Sequence, residues 1–490
     1  MSDFSRRQFL HDSLLAAAAA TTVGAAPRLL AADSPAKEKG PNEKLRFAVI
    51  GVRGQGGSHI GSILNESNRK EAEIAIICDA DQQVGNERCD GIEKKTGRRP
   101  TYVQDLRRVM DDKSINCVSI ATPNHWHALA AIWAMQAGKD VYVEKPVSHN
   151  VSEGRRMVEA ARKYDRMCQT GTQCRSMPGT IQAIDYIKAG KLGEVKLARG
   201  LCYKKRGSIG AKGTYEPPKG VDYSLWCGPA PMDPLTRPKL HYDWHWVWPT
   251  GNGDLGNQGI HQMDVARWGL GLDTLPAGVI AYGGRFGYED AGETPNTEII
   301  VLDYGPKTLV FEVRGLKTDL FKGANVGVVF EGTEGYIVQD SYTNCAVFDK
   351  AGKLVTKFEG AADHHANFIK AVRSRKKEDL TADILEGHLS SALCHVGNIS
   401  YRLGQKISPS ETAERLHDVK MTDNSRATLD RTIDHLAENK VKLDGSTMFQ
   451  CGEYLKLDPA TESFPGNAKA NELCTREYRA PFVVPAAGKV

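Results

Sequence analysis

A glycine-rich loop that follows a short apolar segment constrains the fold of this chain more than any other feature. The segment FAVIGVRGQGGSHI, residues 47–60, begins with apolar residues and then carries glycines at positions 51, 54, 56 and 57. Glycine permits sharp turns and lets another group approach the main chain closely. Between a buried strand and a helix, such a loop is typical of a phosphate cradle at a helix N-terminus. A purely structural turn is the alternative.

The segments that follow the loop predict a parallel sheet covered on both faces. Four nearly continuous apolar stretches, LRFAVIG, AEIAIICDAD, CVSIATP and DVYVEKP, alternate with helical segments. Strands that are apolar throughout, separated by helices, are typical of parallel sheets in α/β domains. We therefore predict an N-terminal Rossmann domain over residues 45–166.

The acid at the end of the second apolar stretch favours NAD as the ligand of the loop. Asp79 lies 22 residues beyond Gly57, close to the spacing expected for a carboxylate that binds the adenosine ribose. Such a carboxylate would repel a 2′-phosphate, so NAD is favoured over NADP. The run reads G-x-x-G-x-G, because an arginine stands at the usual second glycine. The predicted cofactor residues here are Gly51, Arg53, Gly54, Gly56, Gly57 and Asp79.

Two further motifs end predicted strands at the same edge of the sheet. ATPNHWHA covers residues 121–128, and VEKPVSHN covers residues 143–150 and contains Lys145. Ligands of open α/β sheets bind beyond the carboxyl ends of the strands. A single lysine after a strand is often only a surface residue, but its combination with the glycine loop favours a site.

The remainder of the chain has a different pattern of secondary structure, which predicts a second domain. From residue 167 to 405, hairpin-like strands joined by glycine-containing turns predict a largely antiparallel open sheet with helices. The fold class is thus α/β, with an N-terminal Rossmann domain and a C-terminal α/β domain. Residues 34–44 are predicted to be a linker and residues 406–490 a C-terminal extension of open role. An exposed sheet face would favour a homo-oligomer.

The first 33 residues are interpreted as an export signal. A twin-arginine pair at positions 6 and 7 precedes a short alanine-rich apolar run and then small residues suited to cleavage. This pattern resembles a twin-arginine signal, which predicts the twin-arginine export machinery as a partner and a periplasmic or otherwise exported location. The apolar run is short for a membrane span. An amphipathic N-terminal helix is the alternative.

Composition excludes several other classes of function. The net charge is only +4 and no basic arm is present, so the sequence does not predict nucleic-acid binding. The eleven cysteines form no CxxC pairs, so no metal site is predicted. Their odd number, and folding before export, argue against a disulfide framework.

From about Leu45 to Leu403 the chain resembles the Gfo/Idh/MocA (glucose–fructose oxidoreductase/inositol dehydrogenase) oxidoreductases. The resemblance rests on ATPNHWHA, EKP and GNQGIHQMDVARW taken together. It implies a Rossmann domain and a C-terminal domain whose open sheet lines the substrate site. It also implies that Lys145 lies between nicotinamide and substrate. The other residues that it places along the cofactor are Thr122, Pro123, Asn124, His127, Glu144 and Pro146.

The resemblance also identifies candidate catalytic residues. Removing a hydride from a secondary alcohol requires a base for the hydroxyl proton, and a cation helps the developing alkoxide. His261 matches the family's catalytic histidine, and Lys145 supplies the charge. Many relatives carry an aspartate where this chain has Asn257, and an amide cannot stabilise an imidazolium as a carboxylate does. Asp264 could share a helix face with the histidine, or be an ordinary helix residue; Asp254 is the other nearby carboxylate.

Predicted substrate contacts come from three segments of the second domain. TGTQCR supplies two polar residues, a strand end supplies a tyrosine, and the aromatic run HYDWHWVW can stack on the apolar face of a sugar. Aromatic residues are also ordinary core material. The predicted contacts are Gln173, Arg175, Tyr203, Trp244 and His245.

These features together predict an NAD(H)-dependent oxidoreductase that acts on a secondary hydroxyl of a sugar, cyclitol or glycoside. Free NAD is scarce outside the cytoplasm, so we expect a tightly bound, recycled cofactor. One alternative is redox-neutral cleavage of a glycoside through transient oxidation of the sugar, a route that relatives of this family use. The other is a non-catalytic carbohydrate-binding protein, which only Asn257 favours.

Overall fold

The computed structural model describes residues 43–417, 419, 423–444 and 447–490. These residues lie in one compact unit that extends from Asn42 to Val490. The predicted export signal, and all of the predicted linker except its last two residues, lie outside the described residues. No helix within the described ranges is long and apolar enough to span a bilayer.

The first sheet is parallel throughout and has the strand order β3-β2-β1-β4-β5-β6. The order reverses between β1 and β4, which opens a crevice at their carboxyl ends. Its strands are β1 (Leu45–Ile50), β2 (Ala72–Cys78), β3 (Thr101–Val103), β4 (Cys117–Ile120), β5 (Asp140–Val143) and β6 (Cys168–Thr170).

Helices cover both faces of this sheet, which is why its strands are apolar along their whole length. In β1, Phe47 and Val49 face one core, and Ala48 and Ile50 face another. The helices are α1 (Gln55–Ile63), α2 (Gln82–Thr96), α3 (Arg107–Asp111), α4 (Asn124–Gln136) and α5 (Val151–Lys163).

The second sheet has eleven strands, and each pair of neighbours is antiparallel except β7 and β10. Ten of them follow the order β14-β13-β12-β11-β7-β10-β9-β8-β16-β15, and β17 also pairs with β8. The strands are β7 (Val195–Cys202), β8 (Gly278–Gly284), β9 (Thr297–Asp303), β10 (Thr308–Arg314), β11 (Val326–Gly332), β12 (Gly335–Gln339), β13 (Cys345–Asp349), β14 (Leu354–Phe358), β15 (Gln405–Ile407), β16 (Phe449–Cys451) and β17 (Leu455–Lys456).

Helices from the second half of the chain pack on both faces of the larger sheet and on the smaller one. The longest of them contributes a nearly continuous buried surface to the main core. These helices are α6 (Pro178–Lys188), α7 (Tyr223–Cys227), α8 (Ile260–Leu270), α9 (His364–Ser374), α10 (Ile384–Leu403), α11 (Pro409–His417), α12 (Ser425–Glu438) and α13 (Ala468–Glu472).

The predicted architecture, a Rossmann-like parallel sheet followed by a mostly antiparallel sheet, is confirmed. The C-terminal extension is part of both layers. Its strand β16 pairs with β8, and helices α11 and α12 pack their leucines on the outer face of the large sheet. The last residues return to the first sheet, where Phe482 and Val484 join the core beside α4.

Candidate active site

A cavity of about 740 Å³ lies at the carboxyl edge of the parallel sheet, between that edge and segments of the second half of the chain. It is lined by the glycine loop, the ends of β2, β4 and β5, and the start of α8. The predicted site residues in its lining are Gly51, Arg53, Gly54, Asp79, Thr122, Pro123, Asn124, His127, Glu144, Lys145, Gln173, Trp244, His245, Asn257 and His261.

The glycines of the loop have two different structural roles. Gly51 has a φ of +78°, and a Cβ on it would lie 2.7 Å from the backbone nitrogen of Thr122. A Cβ on Gly56 would lie 1.9 Å from the carbonyl oxygen of Gly51. Gly57 faces Arg88, and neither it nor Gly56 lines the cavity. Gly54 does line it, and a Cβ there would meet no protein atom within 4 Å. The space beside Gly54 is therefore available to a ligand.

Asp79 stands directly after β2, at the cavity wall. Its two carboxylate oxygens accept hydrogen bonds from the backbone of Val52 (2.7 Å) and Asp81 (2.9 Å). Burial raises the pKa of Asp79, although these two donors oppose the rise. The bond to Val52 ties the acid to the glycine loop, as a ribose-binding carboxylate requires.

Five buried polar atoms in residues that line the cavity have no hydrogen-bond partner in the described structure. Such atoms are rare in folded proteins because an unmade buried hydrogen bond destabilises the fold, and a ligand is one way to satisfy them. Together with the glycine loop and Asp79, they fit a bound dinucleotide. The atoms belong to Thr122 (Oγ1), Tyr142 (OH), Gln173 (Oε1), His261 (Nδ1) and His365 (Nε2).

Glu144, just after the end of β5, accepts several hydrogen bonds at the cavity wall. Its carboxylate lies 3.1 Å from His59 Nε2 and accepts hydrogen bonds from Gln55 Nε2 and from the backbone nitrogen of Lys145, both also at 3.1 Å. Burial alone would raise the pKa of Glu144, but the hydrogen bond and charge of His59, together with the charge of Lys145, lower it below its usual value. Glu144 is therefore a carboxylate at neutral pH.

Lys145 carries the positive charge nearest to the candidate base. Its Nζ donates to the carbonyl oxygen of Asn257 at 2.5 Å. Asn257 lies in a π-helical turn, Leu255–Gly259, that continues directly into α8. Burial lowers the pKa of Lys145, while the charge of Glu144 opposes that shift. The π turn thus presents a backbone acceptor that orients the lysine.

His261, in the first turn of α8, is the candidate general base, because its imidazole is neutral at neutral pH. Burial lowers its pKa to about 3, and the charge of Lys145 adds to the effect. The ring packs against Tyr342 with centroids 4.8 Å apart, and Nδ1 has no hydrogen-bond partner. A neutral imidazole with an open nitrogen can accept a proton.

Neither of the two carboxylates near His261 in sequence forms a hydrogen bond with it, although the charge of Asp264 opposes the lowering of its pKa. Asp254 forms an ion pair with Arg206 at 2.5 Å and accepts a long hydrogen bond of 3.5 Å from Asn257. Asp264 binds the guanidinium of Arg175 through contacts of 2.8–3.0 Å, and the pair is buried. No hydrogen bond joins either acid to His261 in the described residues.

Six predicted site residues lie outside the cavity lining: Gly56 and Gly57, which shape the glycine loop, and four others whose predicted roles the structure does not support. Arg175 and Asp264 neutralise each other within the core, so the arginine cannot contact substrate. Tyr203 points away and donates to Glu312 at 2.6 Å. Pro146 is buried, and its carbonyl lies 2.6 Å from His127 Nδ1. That imidazole also lies 2.7 Å from the carbonyl of Thr122, so it links the ends of two strands.

Residues of the aromatic run form another part of the cavity wall. Trp244 and His245 stack with ring centroids 3.5 Å apart, and Tyr242 packs beside them with a φ of +66°. Burial lowers the pKa of His245 to about 3, so it is also neutral. This wall offers flat apolar surface next to neutral imidazole.

Sequence reasoning missed several residues of the lining. His59 follows the glycine loop at a helical spacing that could have been used to find it, and the pair at 364–365 stands directly at the start of α9. Tyr342 and Trp226 carry no pattern in sequence, because a loop and the short helix α7 bring them in from distant parts of the chain. The missed residues are His59, Trp226, Tyr342, His364 and His365. Within the described ranges, no three His, Cys, Asp or Glu side chains are arranged to hold a metal ion.

Comparisons with known proteins agree with this geometry. Residues 45–172 match a family model described as an oxidoreductase family with an NAD-binding Rossmann fold. Residues 203–433 match the model of the same family's C-terminal alpha/beta domain. The two regions together make up well over half of the chain.

The individual relatives share low sequence identity with this chain. A levoglucosan dehydrogenase from Pseudarthrobacter phenanthrenivorans is 28% identical over 54% of this chain and 64% of its own length. A glycosyl hydrolase family 109 protein from Shewanella sp. is 28% identical over 40% of this chain and 45% of its own length. The chain thus matches less than two thirds of each of these curated relatives.

A solved structure supports the fold. The WlbA dehydrogenase from Bordetella pertussis, in complex with NADH and UDP-GlcNAcA, is 20% identical with a TM-score of 0.53, over 72% of this chain and 95% of that one. NAD, predicted from the glycine loop and Asp79, is confirmed as the cofactor of the N-terminal domain. The chain belongs to the Gfo/Idh/MocA family of oxidoreductases.

Proposed function

We propose that this protein is an NAD(H)-dependent oxidoreductase that acts on a secondary hydroxyl of a sugar, cyclitol or glycoside, and that it keeps its cofactor bound. The observation that carries the proposal is one cavity in which Gly54 and Asp79 meet Lys145 and His261. A cofactor cradle and a set of proton-transfer groups thus share one enclosed space.

The roles of the residues follow from their charge states. Bound NAD supplies the hydride acceptor. His261, neutral because burial lowers its pKa, takes the proton of the substrate hydroxyl. Lys145 is oriented by the carbonyl of Asn257 and stabilises negative charge on the substrate oxygen. The histidine lacks a carboxylate partner among the described residues, so the lysine supplies most of the electrostatic assistance.

The carbohydrate substrate class rests on the aromatic wall and on the names of relatives. Trp244 and His245 offer the flat apolar surface on which pyranose rings stack. Relatives named as a levoglucosan dehydrogenase and as glycosyl hydrolases support a sugar or glycoside.

Export and cofactor retention belong together in this proposal. The twin-arginine pair at residues 6 and 7 supports export of the folded protein through the twin-arginine machinery to the periplasm or beyond. A protein that works there meets little free NAD, so the cofactor must be loaded earlier and regenerated in place by a second substrate. We also propose a homo-oligomer, supported only by the part of the large sheet, at β11 and β12, whose outer face the leucines of α11 and α12 do not cover.

Redox-neutral cleavage of a glycoside is the second candidate function. It is favoured by the number of proton-transfer groups in the cavity, where Glu144, His59, His245 and Tyr342 accompany His261. A simple hydride transfer needs one base, whereas oxidation, elimination and re-reduction need several. Relatives named as glycosyl hydrolase family 109 proteins and as an alpha-N-acetylgalactosaminidase support it.

Turnover without an electron acceptor distinguishes the two functions. The purified holoprotein is incubated with a panel of sugars, cyclitols and aryl glycosides, and both the reduced cofactor and the released products are quantified. An oxidoreductase reduces its bound NAD once and stops until an acceptor is added. A redox-neutral glycosidase releases product over many turnovers with no acceptor. If the protein holds NAD but neither reduces it nor cleaves any compound of the panel, the non-catalytic binding alternative is favoured.

A further inference from the structure

We infer that residues 220–242 form a clasp closed over the adenosine end of the cofactor site, and that the C-terminal tail locks this clasp so that bound NAD does not exchange during turnover. The tail is defined here as residues 478–484. This inference rests on the proposed function, since it explains how the cofactor is retained. Apart from the last two residues of the clasp, which begin the aromatic run, nothing in the sequence pattern assigns either segment a role.

The clasp supplies the outer wall of the cavity at one end. On the inner side, Asp79 and Leu106 follow β2 and β3, where a bound adenosine reaches the sheet edge. On the outer side, four clasp residues line the same cavity: Leu225, Trp226, His241 and Tyr242. A ligand at this end is therefore enclosed between the sheet edge and the clasp.

The first anchor of the clasp is the turn directly after β2. The main chain of the clasp makes two hydrogen bonds with residues 80–82, of 2.9 and 3.1 Å, and Val221 forms an isolated bridge with Asp81. His241 Nε2 lies 3.0 Å from the carboxylate of Asp81. Because Asp81 is two residues beyond Asp79, this anchor closes the cavity next to the ribose-binding carboxylate.

The second anchor is the N-terminal turn of α4. Trp126 Nε1 donates to the carbonyl of Leu225 at 2.9 Å, and His125 Nε2 lies 3.0 Å from the carbonyl of Trp226. Gly228, at the end of α7, allows this approach, because a Cβ there would lie 2.1 Å from the Trp126 ring. The helix of the clasp is thus docked on the motif that ends β4.

The tail stabilises this second anchor through contacts of Arg479 and Phe482. Arg479 donates to the carbonyls of Ser224 (2.6 Å) and Gly228 (3.0 Å) and to the Ser224 hydroxyl (3.2 Å). Phe482 is buried edge-on against Trp126, with centroids 5.4 Å apart, and the Arg479 guanidinium lies over its ring. One guanidinium therefore ties the clasp to the tail, and one aromatic ring ties the tail to α4.

These contacts make release of the cofactor a cooperative event. NAD can leave at the adenosine end only if three sets of contacts open together. These are the His241–Asp81 contact, the main-chain hydrogen bonds of the clasp, and the hydrogen bonds from Arg479 to the clasp. Local opening of several contacts at once is slow compared with the breaking of one contact. The geometry accounts for a cofactor that is loaded once, and it gives the C-terminal extension a function.

The test measures exchange of bound cofactor in the full mature holoprotein. The protein is loaded with isotope-labelled NAD and chased with excess unlabelled NAD, and the remaining label is followed by mass spectrometry. Arg479→Ala and His241→Ala weaken opposite ends of the clasp, so each is expected to accelerate exchange by about tenfold or more. Val483→Ala is the matched control, because this neighbour of Phe482 is 48% exposed, and its exchange rate is expected to equal that of the wild type.

If NAD stays bound and exchanges at the same rate in the wild type, Arg479→Ala and His241→Ala, the inference of a clasp is wrong. The proposed function would remain intact. Wild-type protein that binds no NAD would overturn the proposed function, and the clasp with it. Arg479→Lys keeps the positive charge but cannot make all three hydrogen bonds to the clasp. An exchange rate between those of the wild type and Arg479→Ala therefore supports the inference. Unfolding midpoints identify misfolded variants, and His241→Ala decides the result if Arg479→Ala does not fold.

Discussion

At the scale of single residues, the chemistry depends on how burial sets the charge of His261 and Lys145. The imidazole is neutral because its pKa is about 3, and the nearby ammonium opposes its protonation. Relatives with an aspartate at position 257 would stabilise an imidazolium, whereas Asn257 does not. In this chain the proton accepted by His261 is therefore held weakly and is passed on readily.

Replacing Lys145 by methionine tests the electrostatic part of this arrangement. The methionine keeps the length of the side chain but cannot stabilise the substrate oxygen, so kcat is expected to fall by about 10²-fold or more, while bound NAD is retained. The measurement is single-turnover reduction of the bound cofactor with an active substrate from the panel. Lys95→Met, at an exposed lysine of α2, is the control and should leave the rate unchanged. A Lys145→Met protein with normal turnover would contradict the assignment.

Restoring an acid at Asn257 tests the altered support of the base. A carboxylate one helical turn before His261 stabilises the imidazolium, so Asn257→Asp is expected to raise the pKa of His261. Because protonated histidine cannot accept a proton, the acid limb of the kcat/KM profile then moves to higher pH. Asn257→Ala introduces no charge and serves as the control. An unmoved or oppositely shifted limb in Asn257→Asp would show that His261 is not the titrating base.

At the scale of elements, the glycine loop was predictable because its signal is local. A strand, a turn of small residues and a helix are read from consecutive positions, and Asp79 follows at a fixed spacing. The structure separates two roles within the loop: Gly51 and Gly56 allow it to fold, whereas Gly54 faces the ligand space.

That separation predicts different outcomes for alanine at two glycines of the loop and its helix. Gly54 has a φ of −72° and a ψ of −94°, just outside the α region, so alanine adds some backbone strain, and its methyl group enters the cavity. Gly54→Ala is expected to fold normally and to weaken NAD binding by about tenfold or more. Gly61→Ala, exposed in α1 with no atom near its Cβ, should leave binding unchanged and stabilise the helix by about 1 kcal/mol. Calorimetric titration of apo protein and thermal unfolding measure both effects. Equal NAD affinity in Gly54→Ala and wild type would exclude close approach at this loop.

The ion pair of Arg175 and Asp264 shows why part of the site was not predictable. Both residues stand in motifs that match the family, and in sequence each suggests contact with substrate or base. Only the packing of α8 against the segment after β6 reveals that they bind each other, while Ser390 donates to Asp264. Long-range pairing of this kind has no periodicity in the chain. Tyr203 was misplaced for the same reason, because its partner Glu312 lies on another strand.

At the scale of the whole molecule, buried neutral histidines determine the response to acid. Burial lowers the pKa of four of them to about 3: His125, His245, His261 and His395. In the unfolded chain each binds a proton near pH 6.5. Below that pH the unfolded state therefore binds more protons than the folded state, and stability falls as the pH falls toward 3.

We expect the free energy of unfolding to be lower at pH 5 than at pH 7. Each of these histidines contributes up to about 1.4 kcal/mol per pH unit below 6.5. Glu153, whose pKa burial raises to about 7, acts in the opposite direction and offsets only part of the loss. Urea unfolding followed by tryptophan fluorescence at the two pH values measures the difference. Equal or greater stability at pH 5 would contradict the burial of neutral imidazoles.

The C-terminal extension shows the limit of prediction at this scale. Its composition indicated no domain, yet it completes the large sheet, covers that sheet with two helices and returns to the Rossmann core. Short strands such as β16 gain their stability from pairing with β8, a partner far away in sequence. Local propensity therefore carries little information about them.

Retention of NAD by the mature protein is the property on which the proposed function and the clasp both depend. It is tested by the nucleotide content of protein purified after native export, released by denaturation and quantified by mass spectrometry. We expect close to one NAD or NADH per chain, without added cofactor during purification. A mature protein that contains no nucleotide and binds no NAD on titration would contradict this expectation.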